Sequence, residues 1–379
     1  MAQGKRGNNE GSIRKRNDGR WEARVTVDGK QRSIYGKTRE DVARKMRALQ
    51  RDVDRGRRIV TKKQPTGQFL DAWLAESVQP SVRPRTFQTY EMHCRLYLKP
   101  ALGTIPLDQL GPQHVLTLQN ELLERGLAPS TVIYTRAVLR KALALALQWG
   151  YVTQNAVTLV PPPKSRRPEV SPLSPEQARL FLQAIKGDRL ESLYTVALAI
   201  GLRQGEALGL RWQDIDLSRG TLSVRNALQR LDGEFKLVPP KTRKSRRTIP
   251  LPQTVQIALA QHQVRQLQER EAAGADWHDW GLVFTTPLGM PLDGVSVTKY
   301  FQRRLRELGL PHQRFHDLRH ACASFLLARG LSPRVVMETL GHSQISLTMD
   351  TYAHVMPSLQ REAADRMDDL LRDEPAESE

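Results

Sequence analysis

Five residues between Phe315 and Val355 could together act on a phosphodiester: His316, Arg319, His320, His342 and Tyr352. An arginine presents a rigid fork of donors that fits phosphate oxygens. An imidazole can hydrogen-bond or move a proton near neutral pH, and a tyrosine hydroxyl can attack and remain covalently attached. A phosphodiester resists attack because its charge repels nucleophiles and its alkoxide leaves poorly. Without a metal, catalysis needs cations on the nonbridging oxygens, a proton for the leaving oxygen and a nucleophile that keeps the bond energy. His316 and Arg319 are three apart and fall on one face of a helix. His320, one turn beyond His316, is expected to pack or to bond backbone. His312, His316 and His320 recur every four residues, a spacing that invites a metal. Pro311 sets the helix start after His312, and neither a fourth ligand nor an HExxH pattern accompanies them. No metal and no other cofactor is therefore expected.

The segment resembles the C-terminal signature of the tyrosine recombinases, the phage-integrase family. It has HxLRH at His316-Asp317-Leu318-Arg319-His320, LGHS at Leu340-Gly341-His342-Ser343, and Tyr352 ten residues after that second His. Upstream, GLRQGEALGLRWQDIDL (Gly201 to Leu217) resembles the family's first box and carries Arg203. KTRKSRR, opened by Lys241, resembles the β-hairpin loop with the lysine general acid, with Lys236 and Lys244 as neighbouring rivals. The resemblance implies that Arg203 and Arg319 clamp the nonbridging oxygens and Lys241 protonates the leaving 5′ oxygen. It gives His316 the tyrosine's proton or a phosphate hydrogen bond, His342 a hydrogen bond to the scissile phosphate, and Tyr352 the attack. Glu206 would be an ion-pair partner of Arg203 or would orient it. The implied activity is site-specific strand cutting and rejoining through a 3′-phosphotyrosyl bond and a Holliday junction, without ATP or metal. A homotetramer on two paired sites, with C-terminal segments exchanged, goes with it. A type IB topoisomerase shares the tyrosine chemistry, and a noncatalytic DNA-binding protein could share the scaffold.

Charge points the same way. The 379 residues carry a net +18, and residues 1–63 hold 20 Lys+Arg against 8 Asp+Glu, so most of the excess lies in that head. Such a field suits a polyanion. Residues 361–379 are acidic, with 3 basic against 8 acidic side chains. No apolar run approaches the roughly 20 residues of a membrane span, and the N-terminus lacks the apolar stretch of a signal peptide. Cys94 and Cys322 have no CxxC partner, which suits a reducing compartment. A bacterial cytoplasmic, nucleoid-associated location is expected, with no membrane partner.

Pattern divides the chain into a multidomain, mainly α protein with small β-sheets. Turn signals at Asn17-Asp18-Gly19 and Asp28-Gly29 separate three short strands. Thr38 then caps a helix with the stripe Val42, Met46, Leu49 and Val53. Residues 1–63 resemble the arm-site DNA-binding domain of phage integrases. Residues 67–155 show four helical patterns, the second ending near Pro100 and the last capped by Ser130, and resemble the all-helical core-binding domain. Asn155-Ala156 replaces the usual Asn-Pro there. Residues 156–172, with Pro161-Pro162-Pro163, read as a stiff basic linker. Residues 173–357 read as a mixed α+β catalytic domain: Ser174 caps its first helix with Pro175 at the first position, Leu193 to Leu202 forms a buried helix, and Thr221 to Pro250 forms a small antiparallel sheet. Residues 358–379 form an acidic tail. The expected partners are duplex DNA at core sites and at distal arm sites, and a DNA-bending host factor or excisionase.

Overall fold

Period-two runs flanked by turn residues become the first sheet. The computed structural model describes residues 12–16, 19–27, 30–54, 64–165, 172–240, 245–341 and 367–368. It divides into two compact units, residues 1–167 and 168–379. In the first, β1 (Ser12–Lys15), β2 (Trp21–Val27) and β3 (Lys30–Gly36) pair antiparallel in that order. Ile13, Ala23 and Ile34 stand in register, and so do Arg14, Glu22 and Tyr35. Successive side chains alternate between faces. Ala23 and Val25 are therefore buried on one face, towards α1 (Arg39–Asp54), whose Val42 is fully buried. Thr38 caps α1 as expected, its Oγ1 accepting the Asp41 N–H at 3.1 Å. The side chains of Leu49 and Val53 lie outside the described residues.

The helices of residues 64–160 enclose a separate core. They are α2 (Thr66–Ala72), α3 (Pro84–His93), α4 (Lys99–Leu102), α5 (Pro112–Glu124) and α6 (Pro129–Gln148). Leu70, Leu98, Val115, Val132 and Leu139 meet at its centre. The second helical pattern ends at Leu102, near Pro100 as expected. One expectation is corrected. Ser130 does not cap α6. Pro129 occupies the first turn, and Ala128 precedes it without a side-chain cap. Ala156, Val157 and Val160, in the stretch expected to link the units, are buried in this core.

The second unit is organised on α8 (Glu191–Ile200), buried on nearly every side. Before it, α7 (Pro175–Ala184) is capped by Ser174 with Pro175 in its first turn, as expected, and the Gln177 side chain accepts the Ser174 N–H in return. After it come α9 (Gln204–Leu208), β4 (Ile215–Asp216), β5 (Thr221–Val224), β6 (Ala227–Leu231), β7 (Glu234–Val238), β8 (Arg247–Pro250), α10 (Gln253–Ala273), α11 (Gly294–Glu307), α12 (Phe315–Ala328) and α13 (Pro333–Leu340). Residues 221–250 do not make one sheet. β4, β5 and β8 form one, while β6 and β7 form a separate hairpin turned at Asp232-Gly233. Phe181, Tyr194 and Phe301 pack ring to ring in the core, each full burial contributing about 1.5–3 kcal/mol. That packing fixes α7, α8 and α11 around the loop that follows Ile200.

Candidate active site

α12 starts where Asp317 turns back on its own N-terminus. Its carboxylate accepts the Arg314 backbone N–H at 2.7 Å and the Arg314 guanidinium at 2.7 Å. That start sets His316 at the surface and Arg319 beneath it, 1% exposed. Arg319 Nη1 donates to the Gly201 carbonyl at 2.7 Å. Gly201 ends α8 with φ 64°, and a Cβ there would lie 2.3 Å from Leu340 Cδ2. Only glycine lets this turn close on its neighbours.

Two residues on, Arg203 precedes α9. Its backbone N–H donates to Glu206 Oε2 at 3.2 Å and its Nη1 to Glu206 Oε1 at 2.7 Å. Its Nη2 donates to the Gly341 carbonyl at 3.0 Å. Gly341, with φ 67°, is the left-handed cap of α13. Glu206 is buried. Desolvation works against its charge, but Arg247 and Arg203 outweigh it and hold the carboxyl below its usual range. One network therefore joins the Gly201 turn, Arg203, Glu206, Arg319 and the end of α13.

The sequence-predicted set is thus placed in part. Arg203 and Arg319 are tied through residues 201–206, and His316 shares α12 with Arg319. Lys241, His342 and Tyr352 lie outside the described residues. Lys241 follows Pro240 in the sequence, and His342 follows Gly341 directly. Among the described residues, no group of three or more His, Cys, Asp or Glu side chains is gathered that could hold a metal. No described helix is long and apolar enough to cross a membrane. Sequence reasoning missed Arg247, whose side chain is only 8% exposed. Its signal was the strand period: Arg247 lies two residues before the core residue Ile249, hence on the same face.

His316 and His320 meet edge to face with ring centroids 5.0 Å apart. Desolvation, then His320 and Arg319, holds His316 well below the usual imidazole range. The ring is exposed, so water screens part of this. The resulting group is neutral at pH 7 and can accept a proton. In the DNA-free protein, the His316 ring signals should titrate below the ordinary value of about 6.5. A bound phosphate, being anionic, should raise that value. A free-protein value above 6.5, or no change on adding core-site DNA, would contradict this placement.

A second charged surface lies on the outer face of the first sheet. Glu22 accepts from Arg14 at 2.8 Å, Ser33 at 2.8 Å and Arg24 at 3.1 Å. The Arg14 hydrogen bond is the main reason that its carboxyl lies far below the usual range. Arg16 stacks over the Tyr35 ring at 5.3 Å. One carboxylate thus holds two cations, Arg14 and Arg24, on this face.

Residues 171–358 match the Phage integrase family, and residues 67–123 match the Phage integrase, N-terminal SAM-like domain. A protein described as tyrosine recombinase XerC-like, from Caldanaerobacter subterraneus subsp. tengcongensis, is 31% identical over 359 residues, covering 90% of this chain and 92% of its own. The chain belongs to the phage integrase family. It is a tyrosine-type, site-specific DNA recombinase. An integrase of Saccharopolyspora erythraea is 30% identical, covering 93% of this chain and 94% of its own. In fold, the recombinase is similar to the Tn1549 transposon integrase in complex with a circular intermediate DNA (TM-score 0.69, 23% identity, 80% of this chain and 99% of that one). It is also similar to a lambda integrase tetramer bound to a Holliday junction (TM-score 0.58, 19% identity, 92% and 96%).

Proposed function

We propose that this recombinase exchanges DNA strands with Tyr352 as the nucleophile and Arg203 and Arg319 as the phosphate clamp. The observation that carries this is the linkage of the two arginines through residues 201–206, at the helix end that leads to His342. Buried Arg319 is a fixed charge and Arg203, 36% exposed, faces solvent. Fixed cations need no reorganisation when charge builds on the phosphorane. His316 accepts the tyrosine proton or bonds the phosphate, His342 bonds the phosphate, and Lys241 gives its proton to the leaving 5′ oxygen. The free 5′ hydroxyl of a second duplex then attacks the 3′-phosphotyrosyl bond, and two such exchanges pass through a Holliday junction.

The remaining parts follow the same reading. Residues 67–155 grip the core site, residues 156–172 connect them to the catalytic residues 173–357, and residues 358–379 form the tail. Residues 1–63 bind a distal arm site through the ordered cations around Glu22. Four copies assemble on two paired sites, aided by a DNA-bending host factor or an excisionase. The setting is the bacterial cytoplasm.

The test pairs two labelled core-site duplexes with a supercoiled plasmid carrying one core site. Recombinant joints between duplexes are expected. Relaxation of the plasmid without joints would give the chemistry to a topoisomerase, and binding without any covalent adduct would make the chain a noncatalytic DNA binder.

A further inference from the structure

Arg247 belongs to none of the expected site residues, yet its guanidinium is committed on three sides. Nε donates to the Thr339 carbonyl at 2.8 Å, Nη1 to the Ser245 carbonyl at 3.1 Å, and Nη2 to Glu206 Oε2 at 3.2 Å. Its position on β8 is fixed by pairing with Val224 of β5. Glu206 in turn holds Arg203, and Arg203 reaches the Gly341 carbonyl. The result is a closed ring: Arg203, Glu206, Arg247 and the last carbonyls of α13. Those carbonyls form the negative end of the helix and favour cations.

We propose that Arg247 is a positioning residue that keeps Arg203 available to the scissile phosphate by sharing the Glu206 carboxylate. The inference rests on the clamp role given to Arg203 above. Two guanidinium ions against one carboxylate leave one net positive charge in the ring. Arg247 occupies Oε2, so Arg203 bonds that carboxylate with one guanidinium nitrogen only. Without Arg247, Glu206 could close a two-toothed fork on Arg203. The pair would then be neutral, and its donors would turn from the phosphate. Arg247 also ties the same carboxylate to the end of α13, so Arg203 and the residue preceding His342 are held as one body. All three bonds of Arg247 go to the protein, so it acts through Arg203.

The test is single-turnover cleavage of a nicked core-site duplex by the full chain, with DNA affinity and thermal midpoint measured beside it. Arg247→Met should cleave about 10²-fold more slowly, as misplacement of a clamp does, while core-site affinity holds within about threefold. Arg247→Lys, which keeps the charge but cannot make three directed bonds, should fall between. Adding Glu206→Gln to Arg247→Met removes the anion that captures Arg203, so the double variant should cleave faster than Arg247→Met by about threefold or more. A merely structural role gives the opposite result, because two losses of packing only add. The proposal is overturned if Arg247→Met cleaves at the wild-type rate, or if Glu206→Gln deepens its defect. Should Arg247→Met fail to fold, the same pair is read with Arg247→Lys, and a folded Arg247→Lys at the wild-type rate overturns it too. Arg203→Ala separates the two levels. If it cleaves normally, the clamp itself is wrong; if it is inactive while Arg247 proves silent, only the role of Arg247 falls.

Discussion

Tyr352→Phe should bind core-site DNA and form no covalent adduct, a loss of at least about 10⁴-fold in cleavage, as for removal of other covalent nucleophiles. The residues from 168 onward contain only Tyr194, Tyr300 and Tyr352. Two of these are committed elsewhere. Tyr194 is fully buried, and its hydroxyl donates to the Val297 carbonyl at 2.9 Å. Burial pushes its phenol far above the usual range. The Tyr300 hydroxyl donates to Asp188, and burial followed by that carboxylate pushes it up to about 12. Neither can become a phenolate near neutral pH at reasonable cost. Adduct persisting in Tyr352→Phe, read on a denaturing gel, would move the nucleophile outside this unit.

Arg319→Ala should lose about 10²–10³-fold or more in cleavage, the scale for removing one donor to developing charge. The loss should be the same when the leaving 5′ oxygen is replaced by sulfur. Sulfur leaves without a proton, so it relieves the lack of an acid and not the lack of a clamp. Lys241→Ala should therefore recover on the sulfur substrate while Arg319→Ala should not. Arg319 fills a buried site and bonds Gly201, so truncation also opens a cavity, at about 2–5 kcal/mol by comparison with other large core deletions. Arg319→Lys keeps bulk and charge but loses the fork, and it checks that the defect is not mere unfolding. Equal sulfur rescue of the Arg319 and Lys241 variants would take Arg319 out of the clamp.

What the sequence showed depended on the range of the interaction. Caps at Thr38 and Ser174 were legible because a cap is a contact between residues three apart. The chain entered α6 two residues earlier than expected, because Pro129 supplies its own fixed φ and needs no cap. The division of residues 221–250 into a sheet and a hairpin was not legible. It depends on β8 returning to β5 across the hairpin, and the same alternating pattern serves either pairing. In the site, Arg203 and Arg319 stood out by their boxes. Arg247 was hidden among the cations of KTRKSRR: the strand period puts it on the face of Ile249, and its partners Glu206 and Thr339 come near only in three dimensions.

The most direct measurement is to trap the wild-type protein on a core-site duplex nicked just beyond the scissile phosphate. The short freed strand diffuses away and the adduct accumulates. Protease and nuclease digestion, followed by mass spectrometry, then identifies the modified peptide and the polarity of its linkage. The expected result is a nucleotide joined through its 3′ phosphate to Tyr352. A 5′ linkage, or attachment to any other residue, would contradict the mechanism.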